Sequence, residues 1–149
     1  MNPPSDSLAA VRAIYAELAT RPAARFCTGR SECCRFRLTG RTPFLTKGEA
    51  AVAGIAWRAA GHKEVIPTTD GACPFLGRNG RCQIYDGRPF ACRTHFCEAA
   101  GGPYARGEVR DLIQRLEDID RSLGGNGGVN LTSAVAEAMR KLPTKQRRK

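Results

Sequence analysis

CPFLGRNGRCQIYDGRPFACRTHFC, residues 73–97, carries four of the chain's seven cysteines and decides how the rest is read. Pro74, Gly77, Gly80, Gly87 and Pro89 interrupt it so often that neither a helix nor a long strand fits. A second cysteine segment, Cys27, Cys33 and Cys34, lies upstream across a region with the pattern of an ordinary helix. Buried cysteine is also a common packing residue. Yet all seven fall in the central part of the chain and none in the amphipathic stretches, which points to ligands. Thiolates bind soft and borderline metals strongly, and several together replace the core that loops cannot build. The two segments are therefore expected to meet around iron or zinc, with Cys27, Cys33, Cys34, Cys73, Cys82, Cys92 and Cys97 as ligands.

The spacings lean toward one of these metals. Structural zinc sites are usually built from paired knuckles of two to four intervening residues, and here only Cys92-x4-Cys97 has that form. Cys33 and Cys34 are adjacent, and neighbouring side chains in an extended segment point to opposite faces. Iron–sulfur clusters are wider than one ion and accept thiolates of varied spacing. An iron–sulfur cluster is the expected cofactor, with zinc the alternative. His95, between the last two cysteines, is either an eighth ligand or a hydrogen-bonding neighbour. His62, after a helix-ending glycine, reads as a surface residue.

Composition bounds the rest. A chain of 149 residues with 42% hydrophobic and 26% charged content is an ordinary folded protein, most simply one domain with tails. No apolar run approaches the roughly 18 to 20 residues of a membrane span. The first residues lack both a basic region and an apolar run, so a cytoplasmic location is expected, where persistent disulfides are rare. An odd cysteine count would also leave one thiol outside any full disulfide pairing. The net charge of +10 comes mostly from arginine and includes the tail from Lys141 to Lys149. Such a tail either keeps the chain solvated or meets nucleic acid or another acidic partner. Arg25, Arg30, Arg35, Arg37 and Arg93 crowd the cysteines, where their charge would offset bound thiolates.

Around the cysteines the chain reads as helices. Leu8, Val11, Ile14, Tyr15 and Leu18 have helical spacing, with Ser5 or Asp6 placed to cap and Pro22 to stop. Residues 36–38 and 43–45 are short extended pieces around a turn signal. Thr46 and Glu49 form a capping box, opening a helix through Trp57 to Ala60 with Gly61 as its stop. Trp57 is read as a packing residue. Residues 64–66 are a possible short strand. A long helix with Val109, Leu112, Ile113, Leu116, Ile119 and Leu123 closes at Gly124. Residues 124–128 read as a flexible linker, 129–142 as a short final helix capped by Asn130 or Thr132, and 143–149 as a disordered basic tail. The expected fold is an α-rich single domain, residues 1–123, with short irregular β pieces, its helices flanking a loop-built cysteine knot. No general base, carboxylate pair or nucleophile–base arrangement assembles, so no catalytic residue is assigned.

The cysteine segments resemble the YkgJ family of zinc- or iron-chelating cysteine-cluster proteins. Its second signature stands complete here as Cys73-Pro-Phe-Leu76, Gly80-Arg-Cys82-Gln-Ile84-Tyr85, Arg88-Pro89-Phe-Ala-Cys92-Arg93 and Cys97. Its first, C-x-x-C-x-x-C-C, is matched by Cys27, Cys33 and Cys34, with Arg30 in place of the second cysteine. The resemblance implies metal chelation without a settled role. Three roles stay open: an iron–sulfur protein in electron transfer, sensing or service to a partner protein; a zinc-stapled module whose basic surface meets nucleic acid or protein; and an enzyme using an open metal position or a reactive cysteine such as Cys34.

Overall fold

The structure, a computed structural model, describes residues 5–20, 44–66, 73–77, 82–90, 92 and 106–141. Four helices dominate: α1 (Ser5–Thr20), α2 (Lys47–Ala59), α3 (Arg106–Ser122) and α4 (Leu131–Lys141). Two short strands, β1 (Phe44–Leu45) and β2 (Val129–Asn130), pair antiparallel with Leu45 opposite Val129. The protein is thus helix-rich with a minimal sheet, as its sequence pattern predicts.

The organising element is α2. Every residue from Gly48 to Val52 is buried, as are Ala53, Gly54 and Trp57, so this helix is enclosed on most sides rather than along one stripe. Its small side chains permit that. A Cβ on Gly48 would lie 2.8 Å from Val11 Cγ2 and 3.2 Å from Ile119 Cγ2, so α1 and α3 approach the first turn of α2 as closely as atoms allow. Val11, Ile14, Tyr15 and Leu18 of α1 pack with Val109, Leu112 and Leu116 of α3, Val52 of α2 and Phe90. A second cluster joins the other side of α2 to α4 through Leu131, Ala134, Val135 and Met139, with Leu45, Phe75, Ile84 and Cys73.

Helix ends follow their sequence signals closely. The Thr46–Glu49 capping box forms, the Glu49 carboxylate accepting from the Thr46 N–H at 2.9 Å. At the other end Gly61 has φ +99°, its N–H reaches Arg58 O at 3.0 Å, and the His62 N–H reaches Trp57 O at 3.3 Å. This is a Schellman cap. α3 closes the same way: Gly124, at φ +81°, bonds Arg121 O, and the Gly125 N–H bonds Asp120 O. Asn130 caps α4 by accepting from the Thr132 N–H at 3.1 Å. Ser5 and Asp6, expected as caps of α1, are instead helical, and Asp6 lies in the first turn where the helix dipole favours an acid.

Three local expectations change. Phe44 and Leu45 are a strand, but their partner is β2, Val129 and Asn130, which the sequence pattern assigns to the final helix and which instead precede it; residues 36–38 lie outside the described residues. Residues 64–66 form no strand, and the Glu64 carbonyl is used by the Trp57 indole N–H at 2.8 Å. Residues 124–128 do not hang as a free linker. Asp120, only 2% exposed, accepts from the Lys47 N–H at 2.8 Å and the Gly127 N–H at 3.0 Å, tying that loop to the start of α2. Gly125 lies so near that any Cβ would collide with the Asp120 carboxylate. Among the described residues no helix is long and apolar enough to cross a membrane.

Candidate metal centre

Three of the seven expected ligands, Cys73, Cys82 and Cys92, lie in described segments; Cys27, Cys33, Cys34 and Cys97, with His95 and Arg30, lie outside them. Cys73 and Cys92 sit on proline-marked turns and Cys82 on a short bridge. In Cys73-Pro74-Phe75-Leu76 the Leu76 N–H returns to Cys73 O at 3.1 Å, a four-residue turn with proline where its fixed φ is suited. Leu76 then forms an antiparallel bridge with Cys82, and the Gln83 N–H reaches Phe75 O at 2.9 Å. Turn and bridge thus bring Cys73 and Cys82 into one small hairpin, where Cys73 is a buried free thiol and Cys82 packs on the same apolar cluster. Farther on, the Cys92 N–H closes a turn onto Pro89 O at 3.1 Å, leaving Cys92 half-buried.

This segment is docked along α2 at three levels. At the C-terminal end Phe75, fully buried, meets the Trp57 ring edge-on at 4.9 Å between centroids. Beside it the His62 ring stacks on Trp57 at 3.6 Å and bonds Gln83 Oε1 at 3.0 Å. At the middle, Gly87 of a 3₁₀ turn (Tyr85–Gly87) comes so near that a Cβ would be 2.7 Å from Ala56 Cβ and 3.4 Å from Val52 O. At the N-terminal end Glu49 Oε1 accepts the Phe90 N–H at 2.8 Å.

Glu49 therefore has two duties. Its second oxygen also takes the Thr46 hydroxyl at 2.8 Å, so three donors converge on a carboxylate that is only 3% exposed. Burial pushes its pKa above the usual glutamate value, against the bonds from Thr46 and Phe90 and with help from the nearby Asp120 charge. Glu49 and Asp120 look like a paired acidic site, but their oxygens serve backbone N–H groups of α2 and the adjoining loops. Sequence reading found the helix-capping half of Glu49 and missed the Phe90 half, because a contact 41 positions away leaves no local trace. It also missed His62. A Trp-Arg-Ala-Ala-Gly-His run was the available signal, since the residues before and after a Schellman glycine frequently touch.

Residues 26–113, more than half of the chain, match the family CxxCxxCC, "putative zinc- or iron-chelating domain". The chain belongs to the CxxCxxCC family. This is also the family of YkgJ, so the likeness carried by the Cys73–Cys97 motif holds. No curated protein and no solved structure matches. Membership supports metal binding in general terms. The donor chemistry of the described cysteines fits it: Cys73 and Cys82 are soft sulfur donors brought into one hairpin against the apolar cluster. Among the described residues, however, no three His, Cys, Asp or Glu side chains gather closely enough to hold an ion. Cys73, Cys82 and Cys92 do not form a centre by themselves.

Charge follows the cysteines. The described segments hold eleven Lys and Arg against eleven Asp and Glu, so the helical scaffold is electrically balanced. The whole chain has 24 against 14, which leaves thirteen basic and three acidic residues elsewhere. Nine of those thirteen, every one an arginine, fall within residues 21–41, 78–81 and 93, around the CxxCxxCC motifs, and four fall in residues 145–149.

Proposed function

We propose that this CxxCxxCC protein holds an iron–sulfur cluster through Cys73, Cys82 and Cys92 together with Cys27, Cys33, Cys34 and Cys97, and serves in electron transfer, sensing or support of a partner protein. The sulfur-rich, widely spaced donor set carries this reading, since thiolates hold clusters at varied spacing. The arginines near the cysteines support it: each metal-bound thiolate brings a negative charge that guanidinium groups offset while hydrogen-bonding sulfur. The site is read as cytoplasmic, where reduced thiols are available to metal.

A second reading, a structural zinc module meeting nucleic acid or an acidic protein, draws on a different observation. Cys73 lies inside the main apolar cluster with Trp57 and Phe75, so metal there would staple the fold. Protein purified without oxygen separates the two. Iron with matching acid-labile sulfide and broad visible absorption supports the cluster; colourless protein with stoichiometric zinc overturns it in favour of the staple.

A further inference from the structure

We infer that the protein binds a small organic cation, a protonated amine on a body of one ring or a short alkyl chain, in the cavity between α3, Glu49, Phe90 and residues 125–128. This site is separate from the metal-binding reading above: no cysteine is among the described residues that line it.

The cavity has a volume of about 670 Å³, within the range of small-molecule sites. Its long wall is one stripe of α3, with residues at three- and four-residue spacing, and the polarity changes along it. Val109, Ile113 and Leu116 are apolar, and Glu117, Asp120 and Arg121 follow. From Val109 to Asp120 the helix rises about 16 Å at 1.5 Å per residue. Phe90, which packs in the same apolar cluster as Val109 and Leu116, extends the apolar end. One end therefore suits hydrocarbon and the other a polar head.

Charge sets the sign of that head. Among the described lining residues three acids, Glu49, Glu117 and Asp120, stand against one base, Arg121, which is already paired with Asp118. Glu117 is exposed at the cavity wall and has no ion-pair or hydrogen-bond partner among the described residues. Glu49 and Asp120 hold backbone N–H groups, yet neither is saturated. A carboxylate offers about four lone-pair sites, whereas three donors reach Glu49 and two reach Asp120. Burial, with the Asp120 charge adding to it, holds the Glu49 carboxyl above its usual range, and a cation beside it would supply the missing counter-charge. Phe44, 64% exposed beside Gly128, adds an open ring face on which a cation is also favoured. An anion of the same shape would meet like charge at every one of these acids.

The full chain, isotope-labelled and purified without oxygen, gives the test when titrated with phenethylamine, with its anionic counterpart hydrocinnamate and with neutral phenethyl alcohol, amide shifts being followed by NMR. Phenethylamine is expected to move the Gly125, Gly127 and Gly128 amides and those of α3 saturably, in the millimolar range usual for so small a molecule. Hydrocinnamate should bind at least about tenfold more weakly, since its charge meets like charges, with the alcohol between the two. Glu117→Lys, an exposed change, should weaken the amine about two- to fivefold. Equal affinity for amine and hydrocinnamate overturns the assignment of a cation. Lack of saturation by the amine, or shifts confined to other parts of the chain, overturns the site itself. A folded E117K with wild-type affinity overturns the placing of the ammonium at the polar end. The comparison of probes on wild-type protein decides the inference even if the variant does not fold, and its outcome is independent of which metal the cysteines hold.

Discussion

The two sides of α2 are held by different means. Toward α1 and α3, regular helices meet it with apolar side chains at helical spacing, and each helix satisfies its own backbone. Toward the cysteines, the partner is a bridge, a three-residue 3₁₀ turn and two proline-marked turns in place of regular helices. That side is fixed by individual contacts: a ring in a ring edge, a glycine against a backbone, one buried carboxylate. The first kind of packing tolerates exchange of similar apolar residues. The second depends on single atoms, and it is the side that carries Cys73, Cys82 and Cys92.

Four substitutions press on this contrast. Phe75→Ala removes a fully buried ring from the junction of Trp57 and the Cys73 hairpin, and is expected to cost about 3–5 kcal/mol in chemical denaturation. If it unfolds no more easily than wild type, the hairpin is not docked on α2. Gly87→Ala drives a methyl group into Ala56 and should cost about 1–3 kcal/mol. An unchanged melting temperature there would show that the two elements do not touch.

Glu49→Gln replaces an acceptor-only group that serves Phe90 and Thr46, leaving at least one buried donor unpaired at about 1–3 kcal/mol. Its pH profile adds a sign. Because burial raises the Glu49 pKa, the wild-type stability owed to that shift is full below the ordinary glutamate range and is lost as pH climbs through the folded-state value. The advantage of wild type over E49Q should therefore shrink as pH rises, measured by urea unfolding across that window. A gap that widens instead would mean that Glu49 stays ionised throughout. Smallest is Gly107→Ala on the helical side, where a Cβ meets nothing within 4 Å; helix propensity predicts a gain of about 0.5–1 kcal/mol. A loss there would mean that this face of α3 is covered.

What could be read from the sequence divides along the same line. Val11, Ile14, Tyr15 and Leu18 announce a buried stripe because burial repeats every turn, and Thr46, Gly61 and Gly124 announce ends because capping needs particular residues at fixed offsets. The cysteine motif marked the metal-binding segment, but not the helix on which it rests. Ala50, Ala51, Ala53 and Gly54 look featureless in sequence; their smallness is what lets α2 be surrounded. Asp120 reads as one more charge on an amphipathic helix, and only its contact with Lys47, 73 positions away, shows why 124–128 is a tied loop. Such long-range bonds depend on where the chain has already gone, and periodicity holds no record of them.

The cap at the end of α2 has a practical consequence for anyone handling the protein. Trp57 is the sole tryptophan, with an imidazole face-on to one side and the hairpin's Phe75 ring edge-on to it. Its emission is therefore an inbuilt optical gauge. Wavelength reports whether the hairpin still shelters the indole from water, and intensity reports the imidazole beside it, which quenches more strongly once protonated. Unfolding of this hairpin can be followed on an unlabelled sample, in real time, from a single side chain.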